Sequence, residues 1–396
     1  MSRIYIFTGK GGVGKSSVAT AHAIKSATEG KKTLLVSTDM AHNLGDIFDI
    51  ILGKEPVTLF DNLDAYEIDP EYVMENDFQE LINCITKMLP ETEDNGLSNM
   101  GIMPGMEELF SLLKIAELQK EGVYERIIVD CAPTGETLSL LKFPELLSWY
   151  MQKLFPLGKV AVKLLSPVSK AFYKIELPNK KAMNDIEGLY LKLQELQELF
   201  KNREVTSVRI VTTPEKMVVE ETKRNYMYMN LYNFNVDGLY INRILPKDID
   251  NRFFDEWLQI QSQYIEEIKN TFQALPIYEI PWYEEELKGR KAIERIIEDA
   301  LMEDVFCMRE ITGREMFQMN EKGYLLDVSL PGADKKEMDL YQSGTDVVIK
   351  IKNFKRNIPL PNVLRGYDIT SAKLEEGILH IQFENPVNER GENEDE

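Results

Sequence analysis

The chain has 396 residues, 43% of them hydrophobic, which is enough for two or more domains with buried cores. Its formal net charge of −20 argues against nonspecific binding to nucleic acid or to anionic lipid. Because it lacks a basic N-terminal region before a long apolar core, and any uncharged apolar stretch of roughly 18 residues, we predict neither a signal peptide nor a transmembrane helix.

A glycine-rich turn, G-K-G-G-V-G-K-S at residues 9–16, follows an apolar strand at residues 4–7 and precedes a helix-forming segment. Strand, turn and helix in this order are typical of a phosphate-binding loop, whose backbone N–H groups and helix N-terminus face an anion. In such a loop Lys15 contacts the β and γ phosphates, and the Ser16 hydroxyl binds Mg²⁺. The predicted nucleotide-binding residues here are Gly9, Gly11, Gly12, Val13, Gly14, Lys15, Ser16 and Ser17.

Two further apolar strands, at residues 33–37 and 126–129, are followed by Asp39 and Asp130. In open α/β sheets, reacting groups collect at the carboxyl ends of parallel strands. Asp39 is therefore placed to orient or deprotonate a water that attacks the γ-phosphate, although an aspartate there also suits a helix cap. Asp130 is placed to hold Mg²⁺ through its water shell, so the predicted magnesium residues are Ser16, Asp39 and Asp130.

Strands at 208–211 and 236–242 alternate with helical patterns at 187–200, 220–229 and 252–271. This alternation predicts an α/β fold with a doubly wound, mostly parallel sheet. We assign residues 1–305 to this domain, with a helical, apolar insert at about 95–200.

The insert combines a methionine-rich stretch around Met100, Met103 and Met106 with a leucine- and valine-rich stretch at 146–168. Adaptable methionine-rich surfaces suit binding of varied hydrophobic segments. The alternative is that both stretches form ordinary core or a dimer contact, as apolar helical stripes more often do.

Alternating strands at 324–330, 347–351 and 378–383, separated by Pro and Gly turns, predict a small all-β sandwich at residues 314–385. The acidic residues 386–396 are predicted to be a disordered tail.

Three motifs together resemble the ArsA family of ATPases, which includes the arsenite-pump ATPase and the Get ATPase for tail-anchored membrane proteins. They are K-G-G-V-G-K-S at 10–16, D-x-A-H-N-L at 39–44 and D-x-A-P-T-G-x-T-L at 130–138. The resemblance implies ATP and Mg²⁺ as cofactors and adenine contacts from Asn242 and Pro281. It also implies a homodimer in which Lys10 reaches the partner's nucleotide and contributes to catalysis with Lys15 and Asp39.

The same resemblance implies a hydrophobic polypeptide client or a membrane partner, with the apolar insert as the client groove. The chain departs from the family at Met40 and Glu136, where proline and histidine are usual. It also lacks the CxxC pair of the eukaryotic targeting ATPases, so we expect no zinc site and a dimer held by packing and nucleotide.

The three cysteines, Cys84, Cys131 and Cys307, are far apart in sequence, which fits a reducing cytoplasm. Arsenite binds clustered thiolates. An arsenite-pump ATPase stays an alternative because folding or dimerisation is able to bring distant cysteines together. A holdase that uses ATP as a slow conformational signal is a second alternative.

The strings at 326–338 and 371–383 resemble the α-crystallin domain of small heat-shock proteins. Two roles stay open for this domain, namely binding of hydrophobic segments and structural cover for the ATPase dimer.

Overall fold

A computed structural model describes residues 2–39, 43–79, 106–131, 180–249, 251–309, 316–320, 323–344, 346–352, 354–364 and 366–384. Several sequence predictions concern residues outside these ranges. They are Met40, His42, Cys84, the stretch with Met100 and Met103, Glu136, residues 146–168 and the acidic tail. None of the described helices is both long and apolar enough to span a lipid bilayer.

Strands and helices alternate through the N-terminal part of the chain. In order they are β1 (Arg3–Thr8), α1 (Lys15–Thr28), β2 (Thr33–Ser37), α2 (Asn43–Phe48), β3 (Val57–Phe60), β4 (Leu63–Glu67), α3 (Pro70–Asn76) and α4 (Met106–Glu121). They continue as β5 (Arg126–Asp130), α5 (Lys180–Lys201), β6 (Thr206–Thr212), α6 (Lys216–Leu231), β7 (Val236–Ile244), α7 (Asp255–Thr271), β8 (Ile277–Pro281) and α8 (Arg290–Ala300).

These strands form an eight-stranded sheet in the order β3-β4-β2-β5-β1-β6-β7-β8. All neighbouring strands pair in parallel except β3 and β4, which are antiparallel. The α/β prediction is therefore confirmed. Because β1 lies between β5 and β6, the turn after β1 opens at the carboxyl edge near the middle of the sheet, where α/β proteins place their ligands.

Helices cover both faces of the sheet, which explains why its central strands are almost continuously apolar. One face packs against α4, α5 and α6 through buried side chains such as Phe110, Leu196 and Met229. The other packs against α1 and α8 through Ile24, Ile293 and neighbouring residues. Strand β5 lies within the range 95–200 and at the sheet centre, so it divides the predicted helical insert into two segments.

Between residues 316 and 384, the described residues form strands and single 3-10 turns. The strands are β9 (Met316–Asn320), β10 (Gly323–Ser329), β11 (Met338–Ser343), β12 (Asp346–Ile351), β13 (Phe354–Pro359), β14 (Asp368–Glu375) and β15 (Ile378–Glu384). They form two antiparallel sheets, β14-β15-β10-β9 and β11-β12-β13. Side chains including Val328, Ile349 and Ile381 are fully buried, which confirms the predicted all-β domain.

The β domain packs on the C-terminal end of α6. The Arg356 guanidinium donates to the carbonyl oxygen of Leu231, the last residue of that helix, where a cation is favourable. The Tyr232 hydroxyl donates to the Lys355 carbonyl oxygen at 3.2 Å, and the rings of Tyr228 and Phe354 are 3.5 Å apart between centroids. The two domains therefore share one continuous hydrophobic core.

His22 on α1 gives the folded protein a specific pH dependence. The ring is completely buried and bonded to the Val18 carbonyl and the Tyr240 hydroxyl, both at 2.8 Å. Burial, followed by the nearby Arg209 guanidinium, lowers the pKa of His22 well below its ordinary value. Below about pH 6.5 the unfolded chain binds a proton that the folded chain excludes, so stability falls as pH decreases.

We expect this histidine to lower the free energy of unfolding between pH 7.5 and pH 5.5, by at most about 1.4 kcal/mol, the value for a ring that takes up no proton in the folded chain. Urea denaturation at both pH values measures the loss, and the His22→Gln variant, which does not titrate there, should show a smaller one. Equal losses in the two proteins would rule out His22 as the source.

Candidate nucleotide site

The turn after β1 has the backbone that a phosphate-binding loop requires. Gly14 has φ of 93°, and a Cβ there would lie 2.3 Å from the Asn242 amide nitrogen. A Cβ on Gly9 would lie 2.2 Å from the Val211 carbonyl oxygen. Glycine is therefore required at both positions by close approach, and at Gly14 by conformation as well. Helix α1 begins at Lys15, so its N-terminus faces the turn.

A cavity of about 840 Å³ opens beside this turn. The predicted site residues that line it are Gly11, Gly12, Gly14, Lys15, Ser16, Ser17, Asp39, Asn242 and Pro281. Its other lining residues are Asp46, Ile47, Arg243, Trp282, Tyr283, Glu285, Glu286, Leu287 and Lys288. The fold thus brings together residues from five separate segments of the chain, and the cavity is large enough for a nucleotide.

The remaining predicted residues, Gly9, Lys10, Val13 and Asp130, do not belong to the lining. Val13 is buried beneath the turn, where its carbonyl oxygen accepts a hydrogen bond from Asn242. The Lys10 ammonium lies 3.9 Å from the Glu221 carboxylate on α6, and its side chain is 37% exposed. The Lys15 ammonium donates to the Lys10 carbonyl oxygen at 3.4 Å. Within one chain, therefore, Lys10 faces α6, and its predicted reach to a partner's nucleotide stays a prediction.

Asp130, at the end of β5, is fully buried. Among the described residues, neither of its carboxylate oxygens has a partner in hydrogen-bond geometry. Burial raises the pKa of Asp130 to about 7; the Ser16 hydroxyl and the Lys15 ammonium lower it, while Asp39 and Glu67 raise it. A buried carboxylate beside a serine hydroxyl is a suitable environment for Mg²⁺, which prefers oxygen ligands and keeps several waters. The residues present therefore fit this ion.

Asp39 follows β2, and its backbone N–H donates to the Ser37 hydroxyl at 3.1 Å. The sequence did not single out Glu67, which is buried at the end of β4. Its carboxylate accepts from the N–H groups of Leu44 and Gly45 at 2.9 and 3.0 Å, which holds the first turn of α2. The signal was available, since Glu67 is another carboxylate at the carboxyl end of a buried parallel strand.

Asn242 joins the glycine-rich turn to the opposite wall of the cavity. Its amide nitrogen donates to the Val13 carbonyl oxygen at 2.9 Å, and its amide oxygen accepts from the Arg243 N–H at 2.9 Å. The register between β7 and β8 shifts between Ile241 and Ile244, so β7 has one extra residue there. This bulge turns Asn242 towards the loop and leaves Arg243 in the left-handed region, with φ of 58°.

The described cysteines differ in environment. Cys131 is buried, and burial together with Asp130 raises the pKa of its thiol to about 12. Cys307 is exposed. Across the described residues, no group of three or more His, Cys, Asp or Glu side chains has an arrangement that would hold a metal ion.

These features define a phosphate-loop ATPase. They are a glycine-rich turn between β1 and α1 and, at the carboxyl edge of a doubly wound sheet, a lysine, a serine and an aspartate. Residues 2–302 match the family of anion-transporting ATPases, and residues 321–383 match the HSP20-like domain found in ArsA. The chain belongs to this ArsA family of ATPases.

Some similar proteins align with nearly the whole chain, and others align with about its first three quarters. A protein of Chlorobaculum tepidum named "Putative arsenical pump-driving ATPase" is 34% identical over 388 residues, 96% of each chain. One of Aquifex aeolicus, "Putative arsenical pump-driving ATPase 1", is 32% identical over 96% of this chain and 99% of its own length. The "ATPase get3" of Pyrenophora tritici-repentis is 32% identical over 74% of this chain and 90% of its own.

Proposed function

We propose that this ATPase is a cytoplasmic, homodimeric nucleotide switch that couples ATP binding and hydrolysis to binding of hydrophobic polypeptide segments. The glycine-rich turn and Lys15 bind the phosphates, and Asn242 and Pro281 contact the adenine. Ser16, Asp39 and Asp130 are the residues that would hold Mg²⁺, which when bound neutralises charge on the β and γ phosphates. Lys10 would complete the site across the dimer by meeting the partner's nucleotide.

Hydrolysis in this proposal is attack of a water on the γ-phosphate. Asp39 and Lys15 line the same cavity, which supports a role for the Asp39 carboxylate in orienting the attacking water or accepting its proton. Glu67 acts indirectly, because it fixes the helix that follows the Asp39 segment. The Lys15 ammonium provides the positive charge that stabilises the transferring phosphoryl group.

The position of Asp130 in the chain is the observation that supports coupling between the nucleotide site and the binding of hydrophobic segments. This buried carboxylate, which interacts with Ser16 and Lys15, stands two residues before the segment 132–179, and that segment contains the leucine- and valine-rich stretch 146–168. A change of charge or metal at Asp130 therefore acts on a backbone that continues directly into the apolar sequence. The resemblance of the three nucleotide motifs to the Get ATPases implies the same coupling, and the similarity to proteins named "ATPase get3" supports that resemblance.

A second candidate function, driving an arsenite pump, is favoured by the names of the full-length relatives. Arsenite requires several thiolates close together. The raised pKa of the buried Cys131 thiol disfavours its thiolate, which weighs against a role for Cys131 in such a site.

One experiment separates these candidates. The full-length protein is titrated with a fluorescent, 20-residue apolar helical peptide, in parallel with ATP, ADP or no nucleotide, and ATP turnover is measured with and without arsenite under reducing conditions. We expect at least tenfold tighter peptide binding in one nucleotide state and no arsenite effect. Peptide affinity independent of nucleotide, together with arsenite-stimulated turnover, would favour the pump-driving ATPase instead.

An aggregation assay tests the alternative that the protein is a holdase. If the isolated C-terminal β domain suppressed aggregation of an unfolding protein as well as the whole chain does, with no effect of ATP, chaperoning would belong to that domain. We expect the whole chain to be the more effective of the two.

A further inference from the structure

We propose that the C-terminal β domain regulates the glycine-rich turn through helix α6. Docked on the C-terminal end of this helix, the β domain keeps Glu221, near the other end, in place beside Lys10. It thereby favours the arrangement in which Lys10 stays within its own chain. The consequence for dimerisation rests on the proposed function of Lys10, whereas the coupling within one chain does not.

The first half of α6 is joined to the glycine-rich turn directly and through β6. The Glu221 carboxylate lies 3.9 Å from the Lys10 ammonium. The hydroxyls of Thr222 on α6 and Thr212 at the end of β6 share a buried hydrogen bond of 2.9 Å. The preceding residue of β6, Val211, packs against the first glycine of the turn, where a Cβ would lie 2.2 Å from its carbonyl oxygen. A displacement of α6 therefore acts on the turn.

The second half of α6 is enclosed by protein. Residues 225–231 are all buried, although a surface helix usually exposes one side. The helix lies between the sheet, α7 and the β domain. Its 16 residues span about 24 Å, and its internal hydrogen bonds make it stiff along that length. Because protein interiors are close-packed, α6 has no room to slide or rotate while the β domain is docked.

The β domain closes the C-terminal end of α6 with a buried arginine. Arg356 is 5% exposed and donates to the carbonyl oxygen of Leu231, in the last turn, where carbonyl groups lack intrahelical partners. The Tyr232 hydroxyl donates to the backbone of β13 at 3.2 Å, and the rings of Tyr228 and Phe354 are in contact. These contacts fix the axial position of α6, because a shift along the axis would deprive a buried guanidinium of this acceptor.

The β domain is also anchored through the residues that precede it in the chain. Phe306 is buried, its carbonyl oxygen accepts from the Tyr5 hydroxyl at 2.8 Å, and the Arg126 guanidinium lies 3.8 Å from its ring centroid. The Arg309 N–H donates to the Asp237 carboxylate at 3.3 Å. This segment and the α6 contact are two separate attachments. The β domain is therefore a brace on α6 rather than a freely tethered module.

The direction of the coupling follows from the arrangement that the structure shows. The β domain is docked on α6 and Lys10 is paired with Glu221 in the same structure. A contact present in one arrangement stabilises it relative to any arrangement in which that contact is weakened. Loosening the β-domain contact therefore releases Lys10 from Glu221, and by reciprocity the release of Lys10 loosens the β domain.

The test measures how fast the Lys10 amine of the nucleotide-free, full-length protein is acetylated by trace N-hydroxysuccinimidyl acetate, with detection by mass spectrometry. Glu221→Gln should raise this rate about twofold, the effect of a partly exposed ion pair, because the pair holds the amine against α6 and away from the reagent. Arg356→Met, and the milder Tyr232→Phe that removes a single hydrogen bond, should raise it in the same direction. Combined with Glu221→Gln, Arg356→Met should add nothing, because α6 then has no carboxylate to hold at Lys10.

The controls use lysines elsewhere in the chain. Lys25, which pairs with Glu29 at 3.3 Å on α1, is the internal reference and should react equally in all variants. Lys350→Met is the matched control variant, since it removes an exposed charge of the β domain whose partner, Asp339, belongs to the same domain. It should leave the Lys10 rate unchanged.

A second measurement tests the consequence for the switch. With Mg²⁺ and a non-hydrolysable ATP analogue, dimer formation is followed by sedimentation velocity as the analogue concentration is raised. Arg356→Met and Tyr232→Phe should form the dimer at about half the analogue concentration that wild type requires, as expected for a twofold shift in the Lys10 arrangement. Lys350→Met should match wild type.

The outcomes separate the coupling from the proposed switch. The coupling is overturned, and the switch unaffected, if Lys10 reacts at the wild-type rate in Arg356→Met and Tyr232→Phe, or if Lys350→Met raises the rate equally. Additive effects of Glu221→Gln and Arg356→Met, or no effect of Glu221→Gln, would overturn it too. Where circular dichroism shows that Arg356→Met has unfolded the β domain, Tyr232→Phe alone decides. If the rates change as expected but no dimer forms with bound analogue, the coupling is retained and the dimeric switch is wrong.

Discussion

Replacement of Asp39 by asparagine is expected to reduce ATP turnover by about 10²–10⁴-fold, the range that a lost general base or water-positioning carboxylate produces. Asparagine has nearly the same shape, so the cavity and the glycine-rich turn should be preserved. ATP should therefore still bind, because the proposed phosphate contacts, from Lys15 and the N-terminus of α1, do not involve Asp39. The expected signature is normal nucleotide affinity with hydrolysis close to background.

Single-turnover hydrolysis and equilibrium binding of ATP distinguish the two effects. Asp61→Asn is the matched control, since Asp61 is an exposed aspartate on the turn between β3 and β4 and does not line the cavity. It should hydrolyse ATP at the wild-type rate. Unchanged turnover in Asp39→Asn would remove Asp39 from its assigned role and favour the helix-capping alternative.

A second large effect is expected for stability, at a buried ion pair inside the sheet. The side chains of Arg209 on β6 and Asp237 on β7 are 2% and 0% exposed, with Nε and Oδ1 3.3 Å apart. Ser207 donates to Asp237, the Arg209 guanidinium lies 4.7 Å from the Tyr5 ring centroid, and it donates to the Tyr240 hydroxyl at 3.2 Å. Removing one charge leaves the other buried without its partner, which costs about 3–5 kcal/mol.

We therefore expect Asp237→Leu to lower the unfolding free energy by about 3–5 kcal/mol in urea denaturation. The double variant Arg209→Met with Asp237→Leu should lose distinctly less, because it leaves no unpaired charge in the sheet. If the double variant lost as much unfolding free energy as Arg209→Met and Asp237→Leu lose together, the two ions would act independently. The energetic coupling assumed for the pair would then be absent.

The parts of the fold that were predictable are those determined by local pattern. Strand β2 was predicted at its observed residues, since a strand buried on both faces is continuously apolar and ends sharply at polar residues. The glycine-rich turn was predictable because its backbone conformation requires glycine at fixed positions. Strand β3 was missed, since it is an edge strand of only four residues, all of them partly or largely exposed, and four residues are too few to show a period.

The parts that were not predictable depend on residues distant in sequence. The position of Glu67 at a strand end was visible in the sequence, but its contact with the first turn of α2 was not, because it depends on where β4 lies in the sheet. The left-handed backbone conformation of Arg243 depends on the register between β7 and β8, and no local sequence pattern specifies that register. Likewise, the packing of the β domain on α6 through Arg356 and Tyr232 requires knowledge of both surfaces at once.

The arrangement of Lys10 leads to the deciding measurement. In the single chain its ammonium pairs with Glu221, over a third of the side chain is exposed, and it lies outside the cavity lining. The proposed switch requires this lysine to leave Glu221 and meet the nucleotide of a second copy. The mass of the full-length protein is to be measured by sedimentation velocity with Mg²⁺ and a saturating non-hydrolysable ATP analogue. We predict a dimer for wild type and a loss of that nucleotide-dependent dimer for Lys10→Ala; a wild-type chain that binds the analogue yet stays a monomer would contradict the proposed switch.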